Sequence, residues 1–270
     1  KSTMLRSSLP SSRVIIGGLM FRNATNRQFS TPSAPGFFEL RQYVIRPGSM
    51  KPYMTETFAA AGVRKALFDT QDSRWLSFFS TEIGGSLTSV HHLYWYKDYD
   101  VRDKVRAKAA SSLEWGAYLK EVRPLMDSQK NCALIEATST LQAAGLPGAL
   151  SFAAPDDSCT AVAYELRRYQ LKLGYNTVPD FLKLYGEGLP DKLRVDDSGA
   201  STLVTLLYSD SGPLNVVYEV WRHESLQRSL AARQASRQSS KWKEAVGSIA
   251  LLAETFDTQF LRPTPFSPWQ

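Results

Sequence analysis

The chain has 270 residues, of which 43% are hydrophobic, and a formal net charge of +6. This length has room for about two domains of roughly 100–150 residues each, and no apolar run approaches the ~20 residues that span a bilayer. The excess charge lies in residues 1–36, which hold five basic residues and no acidic one. Because nucleic-acid binding needs a concentrated cationic surface on the folded body, we predict no nucleic-acid partner. The lack of a long apolar run predicts no transmembrane segment.

Residues 1–36 have the composition of a mitochondrial transit peptide and a linker. They are rich in Arg and Ser, and Arg22 and Arg27 follow the apolar segment at residues 14–21, whereas a secretory signal has its charges before its apolar core. The sequence RQFS at residues 27–30 resembles a matrix-processing site. We predict a mature chain that begins near Ser30 or Thr31 in the mitochondrial matrix. A tail without a targeting role is the alternative.

The rest of the chain is a tandem repeat. The sequence FELRQY at residues 38–43 returns as YELRRY at residues 164–169, a spacing of 126 residues. The segment at residues 84–106 returns in altered form at residues 211–233, and we align Trp95 with Trp221 at the same spacing. Two matches at one spacing predict two copies of one module. We assign them to residues 37–140 and 158–268, with a linker at residues 141–157.

Each copy is predicted to have the element order βαββαβ, from apolar alternation in strands and helical spacing between them. In the first copy, Gly84 and Gly85 form a hairpin turn, and Asp98 or Asp100 caps a helix. The predicted strands of the first copy lie at residues 37–45, 74–83, 89–96 and 132–137. Those of the second copy lie at residues 162–173, 202–208, 216–221 and 255–261, with helices that begin near Asn176 or Thr177, Leu226 and Lys241.

The order βαββαβ is that of a ferredoxin-like module. Residues 89–96 have bulky side chains on both faces of the predicted strand, whereas a sheet with one wet face shows cleaner alternation. We therefore predict an α+β fold in which tandem ferredoxin-like modules pack sheet against sheet as a dimeric α/β-barrel-like pseudo-dimer. Exchange of edge strands between two chains, which gives a homo-oligomer, is the alternative.

In each copy, three polar side chains lie opposite the apolar face of the first strand. They are Glu39, Arg41, Tyr43, Glu165, Arg167 and Tyr169. A Glu and an Arg two residues apart on one strand face can pair with each other or with a neighbouring strand, which is their structural interpretation. In the functional interpretation they line a pocket for a small polar or aromatic ligand.

His91 and His92 are the other candidate pocket-lining residues. Neighbouring residues on a strand point to opposite faces, so the two cannot bind one metal ion together. We interpret one as a core residue and the other as a groove residue. At a spacing of 126 residues, their counterparts are Val217 and Tyr218.

The sequence contains no motif that carries a known chemistry. It has no nucleophile elbow, no phosphate-binding glycine loop and no His-Glu-x-x-His motif. Cys132 and Cys159 are too few for a disulfide framework and are predicted to be packing residues. We predict no catalytic residue, no metal site and no cofactor.

Several motifs together resemble the NIPSNAP domain. They are FELRQY at residues 38–43, RPGSM at 46–50, VHHLYWYKD at 90–98, Trp115 and PFSP at 265–268. The resemblance covers residues 37–268 and implies tandem ferredoxin-like modules behind a mitochondrial presequence. It also implies a non-enzymatic interaction protein, since some members recruit autophagy receptors to damaged mitochondria in mitophagy, and it brings no catalytic residue.

A small-molecule binder is the alternative function, by analogy with other dimeric α/β-barrel proteins. The polar face that carries Glu39, Arg41 and Tyr43, near His91 or His92, motivates it. One version binds haem, with either histidine as axial ligand. Another is a cofactor-independent oxygenase-like enzyme.

Overall fold

Eight antiparallel strands form a closed barrel. The computed structural model of the protein describes residues 36–155, 161–196 and 198–270. The strands are β1 (Phe37–Ile45), β2 (Ser73–Ile83), β3 (Ser89–Tyr96), β4 (Met126–Glu136), β5 (Ala163–Leu171), β6 (Ser201–Ser211), β7 (Val216–His223) and β8 (Ala253–Pro263). Their hydrogen-bonded order is β1-β3-β2-β8-β5-β7-β6-β4, and β4 closes the barrel on β1. The described strands therefore leave no free sheet edge.

Helices connect the strands and cover the outer face of the barrel. They are α1 (Met50–Ala59), α2 (Ala61–Phe68), α3 (Tyr99–Ser111), α4 (Leu113–Val122), α5 (Thr138–Ala143), α6 (Thr177–Val195), α7 (Leu226–Ser236) and α8 (Ser240–Leu252). Asp98 and Ser225 cap α3 and α7 by accepting a hydrogen bond from the backbone N–H three residues on. The two halves of the chain thus begin the same helix in the same way.

The two halves join edge to edge rather than only face to face. The first half (residues 36–155) has the strand order β4-β1-β3-β2, and the second half (residues 161–270) has the matching order β8-β5-β7-β6. Strand β2 then pairs with β8, and β4 pairs with β6. This corrects the predicted sheet-against-sheet packing, because the two sheets are hydrogen-bonded to each other along their edges. The backbone groups of the four edge strands find partners in the other half, so one continuous sheet closes on itself.

The hydrophobic core has three parts. Side chains from both halves fill the barrel interior, among them Phe38, Leu93, Leu134, Tyr164 and Leu166. A second cluster lies between the sheet and helices of the first half, and a third lies in the same place in the second half. Strand β3 is therefore buried on both faces, as its sequence predicted.

Strands β1 and β3 have their predicted bounds, whereas β4 begins at Met126 rather than at residue 132. The sequence of residues 127–131 has no apolar side chain, and these residues are exposed. Residues 128–131 nevertheless pair with residues 41–44 of β1. Backbone hydrogen bonds to β1, without buried apolar side chains, define this part of the strand, and they leave no pattern in the sequence.

The predicted alignment of the two halves is wrong by one residue in β3 and β7. Glu39 lies opposite Tyr94, and its repeat partner Glu165 lies opposite Trp221. Trp221 therefore corresponds to Tyr94 rather than to Trp95. The cause is a difference in connection lengths: the second half has 29 residues rather than 27 between its first and second strands, and 4 rather than 5 in the hairpin between its second and third strands.

With this register, the second-half counterparts of His91 and His92 are Tyr218 and Glu219, not Val217 and Tyr218. A neutral imidazole in the first half thus corresponds to a carboxylate in the second. This difference is invisible when the two halves are aligned on their tryptophans.

Three predictions lie outside the described residues: the transit peptide, the processing site at residues 27–30, and the role of Cys159. Cys132 is a free cysteine. Within the described residues, no helix is long and apolar enough to cross a membrane. From Gly36 on, these residues form one compact unit, so the predicted domain boundaries stay a prediction.

Candidate functional site

The Glu-Arg pair of the first strand is buried beneath the helices in both halves. Arg41 Nη2 donates to Glu39 Oε2 at 2.8 Å, and Arg167 Nε donates to Glu165 Oε1 at 3.0 Å. Burial raises the pKa of Glu39, but the charge of Arg41 and hydrogen bonds from Arg102, Arg41 and Asn131 outweigh it and lower the pKa to about 2. These contacts match the structural interpretation of the pair.

A cavity of about 330 Å³ lies beside this pair, between the sheet and the helices of the first half. We call it the first-half cavity. Four arginines line it: Arg41, Arg64, Arg106 and Arg123. Its apolar lining includes Phe68, Trp115, Leu119, Val122 and Met126, and its polar lining includes Tyr43, Tyr118 and Gln129. None of its lining residues, all in the described part of the chain, is acidic.

Arg64 is the residue that distinguishes this cavity. Its side chain extends from α2, and only 2% of the residue is exposed. Its guanidinium donates to the hydroxyl of Tyr94 at 2.6 Å and to that of Tyr118 at 3.0 Å, while Nε has no hydrogen-bond partner. It forms no ion pair with a described residue, although an arginine stays charged when it is buried.

Aromatic rings surround the Arg64 guanidinium. Its Cζ lies between 5.0 and 5.7 Å from the ring centroids of Trp75, Phe78, Trp115 and Tyr118. Cation–π contacts of this kind offset part of the cost of burying the charge. They do not neutralise it, so a positive charge remains at the wall of the cavity.

The two histidines point to opposite sides of the sheet, as predicted. His91 lies in the barrel interior, where its Nε2 is 3.1 Å from Thr81 Oγ1 and burial lowers its pKa to about 4. His92 is fully buried on the outer face, with Nδ1 at 3.1 Å from the hydroxyl of Tyr94. Burial, and then the charges of Arg64 and Arg41, hold the pKa of His92 well below its usual range. Neither histidine lines the first-half cavity.

The second half has a different arrangement around its own polar residues. Glu165, Arg167 and Tyr169 line an open groove of about 470 Å³ beside α8 and β8. A second space, next to Lys192, measures only about 20 Å³. Lys192 lies 3.7 Å from the buried carboxylate of Glu219. The cation of this half thus has an acidic partner within the protein.

Of the predicted site residues, Arg41 and Tyr43 line the first-half cavity, and Glu39 lines a neighbouring cleft. Sequence reasoning missed Arg64, Lys192 and Glu219. A signal was present for Arg64: it is on the buried face of its helical segment, with Tyr53, Thr57 and Ala60. A charged residue on the apolar face of a helix indicates a buried polar contact.

The first-half cavity offers no histidine as an axial ligand for haem. In the first-half cavity, Met126 is the one sulfur ligand among the lining residues, and both histidines lie elsewhere. Across residues 36–155, 161–196 and 198–270, no group of three or more His, Cys, Asp or Glu side chains could hold a metal ion.

The NIPSNAP family profile matches residues 38–140 and 164–268. This chain belongs to the NIPSNAP family. Human NipSnap homolog 3A is 26% identical over 234 residues, which are 86% of this chain and 85% of that protein. Mouse NipSnap homolog 3B is 26% identical over 233 residues, with the same shares of the two chains. The resemblance inferred from the sequence motifs is confirmed, and the match in two copies agrees with the repeat.

Among solved structures, a proposed monooxygenase from Fusobacterium nucleatum has a similar fold, with a TM-score of 0.59. It covers 85% of this chain and 93% of its own, at 10% sequence identity. At this identity the likeness concerns the fold alone.

Proposed function

We propose that this NIPSNAP-family protein binds a small organic anion in the first-half cavity. The observation that carries the proposal is the charge of Arg64, which is buried at the cavity wall without an acidic partner. An isolated buried charge is costly unless a counter-ion and hydrogen bonds compensate it. An anionic ligand would supply both, because Arg64 Nε and Arg41 Nε are buried donors without partners.

The rest of the cavity suits a ligand with one charged end and one apolar body. Its volume of about 330 Å³ lies at the small end of the ligand-pocket range of ~300–1,000 Å³. Trp115, Leu119 and Met126 offer apolar contacts. The exposed Arg106 and Arg123 add positive charge at the surface, which attracts anions toward the cavity.

A thermal-shift titration of the full 270-residue protein tests the proposal. The panel contains organic carboxylates, sulfonates and phosphate monoesters, each beside a neutral analogue of the same shape. A ligand that binds only the native state raises stability by RT ln(1 + [L]/Kd), which is about 2.7 kcal/mol at 100 times Kd. We expect shifts with anions alone, and we expect Arg64→Leu to abolish them.

Arg74→Gln is the matched control, because Arg74 is an exposed arginine that pairs with Asp69 at the surface. It removes the same charge and is expected to leave the shifts unchanged. If no anion stabilises the wild-type protein, or if Arg64→Leu responds like wild type, the proposal is wrong.

We further propose that the protein acts in mitochondria as an interaction protein. One surface feature supports the interaction role. Leu173 and Tyr175 are 96% and 99% exposed in the loop before α6. Asn215, in the neighbouring β6–β7 hairpin, donates to the carbonyls of Lys172 and Gly174 at 3.0 and 3.2 Å. The contact brings the exposed Leu214 close to this loop, and exposed apolar patches mark interaction surfaces.

The test of this second proposal has two parts. Import of the labelled chain into isolated mitochondria, with and without residues 1–36, examines the predicted matrix location and transit peptide. Binding of purified autophagy receptors to wild type and to the double variant Leu173→Ser, Tyr175→Ser examines the partner. Equal binding of the two proteins would exclude this surface, and failure of import would exclude the matrix location.

A further inference from the structure

The two halves place a buried cation at the same position of the first helical segment. In the first half this segment is residues 50–68 (α1 and α2), and its buried residues include Tyr53, Thr57, Ala60 and Arg64. In the second half it is α6, and its buried residues include Phe181, Tyr185, Gly188 and Lys192. The spacing is the same in both sets, so Lys192 is the counterpart of Arg64. Each half therefore has to compensate one extra positive charge beneath its helices.

The second half compensates this charge with its own carboxylate. Glu219 is 0% exposed, and its oxygens accept hydrogen bonds from the hydroxyl of Tyr185 at 2.9 Å, the hydroxyl of Tyr169 and the indole of Trp221. Lys192 lies 3.7 Å away and Arg167 lies 3.9 Å away. The space left beside Lys192 has a volume of about 20 Å³, which holds no more than a water molecule.

The first half also surrounds its buried cation with aromatic side chains, but it has no carboxylate at the position of Glu219. His92 takes the position of Glu219, because it lies opposite Arg41 as Glu219 lies opposite Arg167. Lys192 Nζ of the second half has no hydrogen-bond partner apart from its ion pair with Glu219, and in the first half Arg41 Nε, Arg64 Nε and His92 Nε2 have none. Here the cavity is about 330 Å³, so the missing negative charge coincides with room for a ligand.

We infer that the ligand of the first-half cavity is a monocarboxylate with an apolar body, whose carboxylate compensates Arg64 as Glu219 compensates Lys192. This inference rests on the proposed anion-binding function and narrows its ligand class. One buried cation lacks a partner, which matches a single negative charge. A phosphate monoester carries a charge of about −1.5 to −2 at neutral pH, which is more than the buried Arg64 by itself neutralises.

The first experiment compares three probes that share a phenyl ring. Benzoate is the monocarboxylate, benzamide is its neutral isostere, and phenyl phosphate is the more highly charged anion. Calorimetric titration of the full 270-residue protein is expected to give benzoate at least about tenfold tighter binding than either of the others. This factor corresponds to a difference of about 1.4 kcal/mol in binding free energy. Equal or tighter binding of phenyl phosphate overturns the inference.

The second experiment gives the first half a carboxylate of its own. His92→Glu copies the second-half arrangement and is expected to weaken benzoate binding at least about tenfold without a lower melting temperature. His92→Gln, which keeps a neutral side chain of similar size, is expected to bind benzoate as wild type does. Unchanged benzoate binding in folded His92→Glu overturns the inference.

The two proposals fail in different ways. If no organic anion binds through Arg64, the proposed function itself is wrong. If phosphate esters or sulfonates bind through Arg64 and carboxylates do not, anion binding stands and the carboxylate inference is wrong. The probe comparison needs only the wild-type protein, so it decides the question even if His92→Glu does not fold.

Discussion

Arg102 Nη2 lies 2.8 Å from Glu39 Oε1 and joins helix α3 to strand β1. The same carboxylate accepts hydrogen bonds from Arg41 on its own strand and from Asn131 on β4. Three elements of the first half thus converge on one buried side chain. Loss of its charge is expected to loosen the wall beside the first-half cavity.

Glu39→Gln is therefore expected to destabilise the protein by roughly 3–5 kcal/mol, the range for removing one partner of a buried ion pair. Urea unfolding at neutral pH measures the loss. The Arg74→Gln variant, which breaks an exposed pair, serves as the control and is expected to cost less than about 1 kcal/mol. A loss of similar size in both variants would contradict this role of Glu39.

The same carboxylate gives stability a dependence on acid pH. The pKa of Glu39 is about 2 in the folded protein, against 4.5 for the free group. Its contribution is thus fully present above about pH 4.5 and is lost as the pH falls toward 2. Urea unfolding of wild type and Glu39→Gln between pH 5 and 3 is expected to show a steeper decline in wild type.

His91 acts in a higher pH window. Burial in the barrel interior lowers its pKa to about 4 from 6.5, so the folded protein keeps it neutral. The stability that neutral His91 contributes to the fold is complete above about pH 6.5 and is lost as the pH falls toward 4. The loss of unfolding free energy reaches roughly 2 kcal/mol by pH 5. His91→Gln keeps a polar partner for Thr81 and is expected to reduce the difference in unfolding free energy between pH 7 and 5. An equal difference in both proteins would contradict this prediction.

Gly84 sits where the two halves of the barrel meet. Its φ of +86° favours glycine, and a Cβ there would overlap the carbonyl oxygen of Thr258. Gly48 has a φ of +83° with open space around it, so Gly48→Ala measures the backbone cost alone, about 1 kcal/mol. We expect Gly84→Ala to cost about 1–3 kcal/mol more in thermal unfolding. Equal costs would show that the seam accommodates a methyl group.

Much of the fold followed from the local pattern of the chain. Residues 37–45 alternate between apolar and polar side chains, whereas residues 89–96 are a short bulky run that follows a glycine turn, and both strands have their predicted bounds. The return of FELRQY as YELRRY indicated two modules. Residues 127–131 could not be assigned to β4, since they have no apolar side chain that would set a strand period in the sequence.

The candidate site was predictable in part. Glu39, Arg41 and Tyr43 stood out because both copies retain them on one strand face. Arg64 did not, since a single arginine in an amphipathic helix is usually solvated. Its burial depends on Tyr94 and Tyr118, which come from a strand and a helix distant in the sequence.

The sequence by itself determined the family, the two α+β modules and the faces of their strands, because these depend on residues close together along the chain. Only the tertiary structure decided the closure of the barrel, the correspondence of His92 with Glu219, and the burial of Arg64 without an acidic partner. Strand register and charge compensation arise between segments far apart in the sequence. Connections that differ by one or two residues in length change their alignment without any local sign of the change.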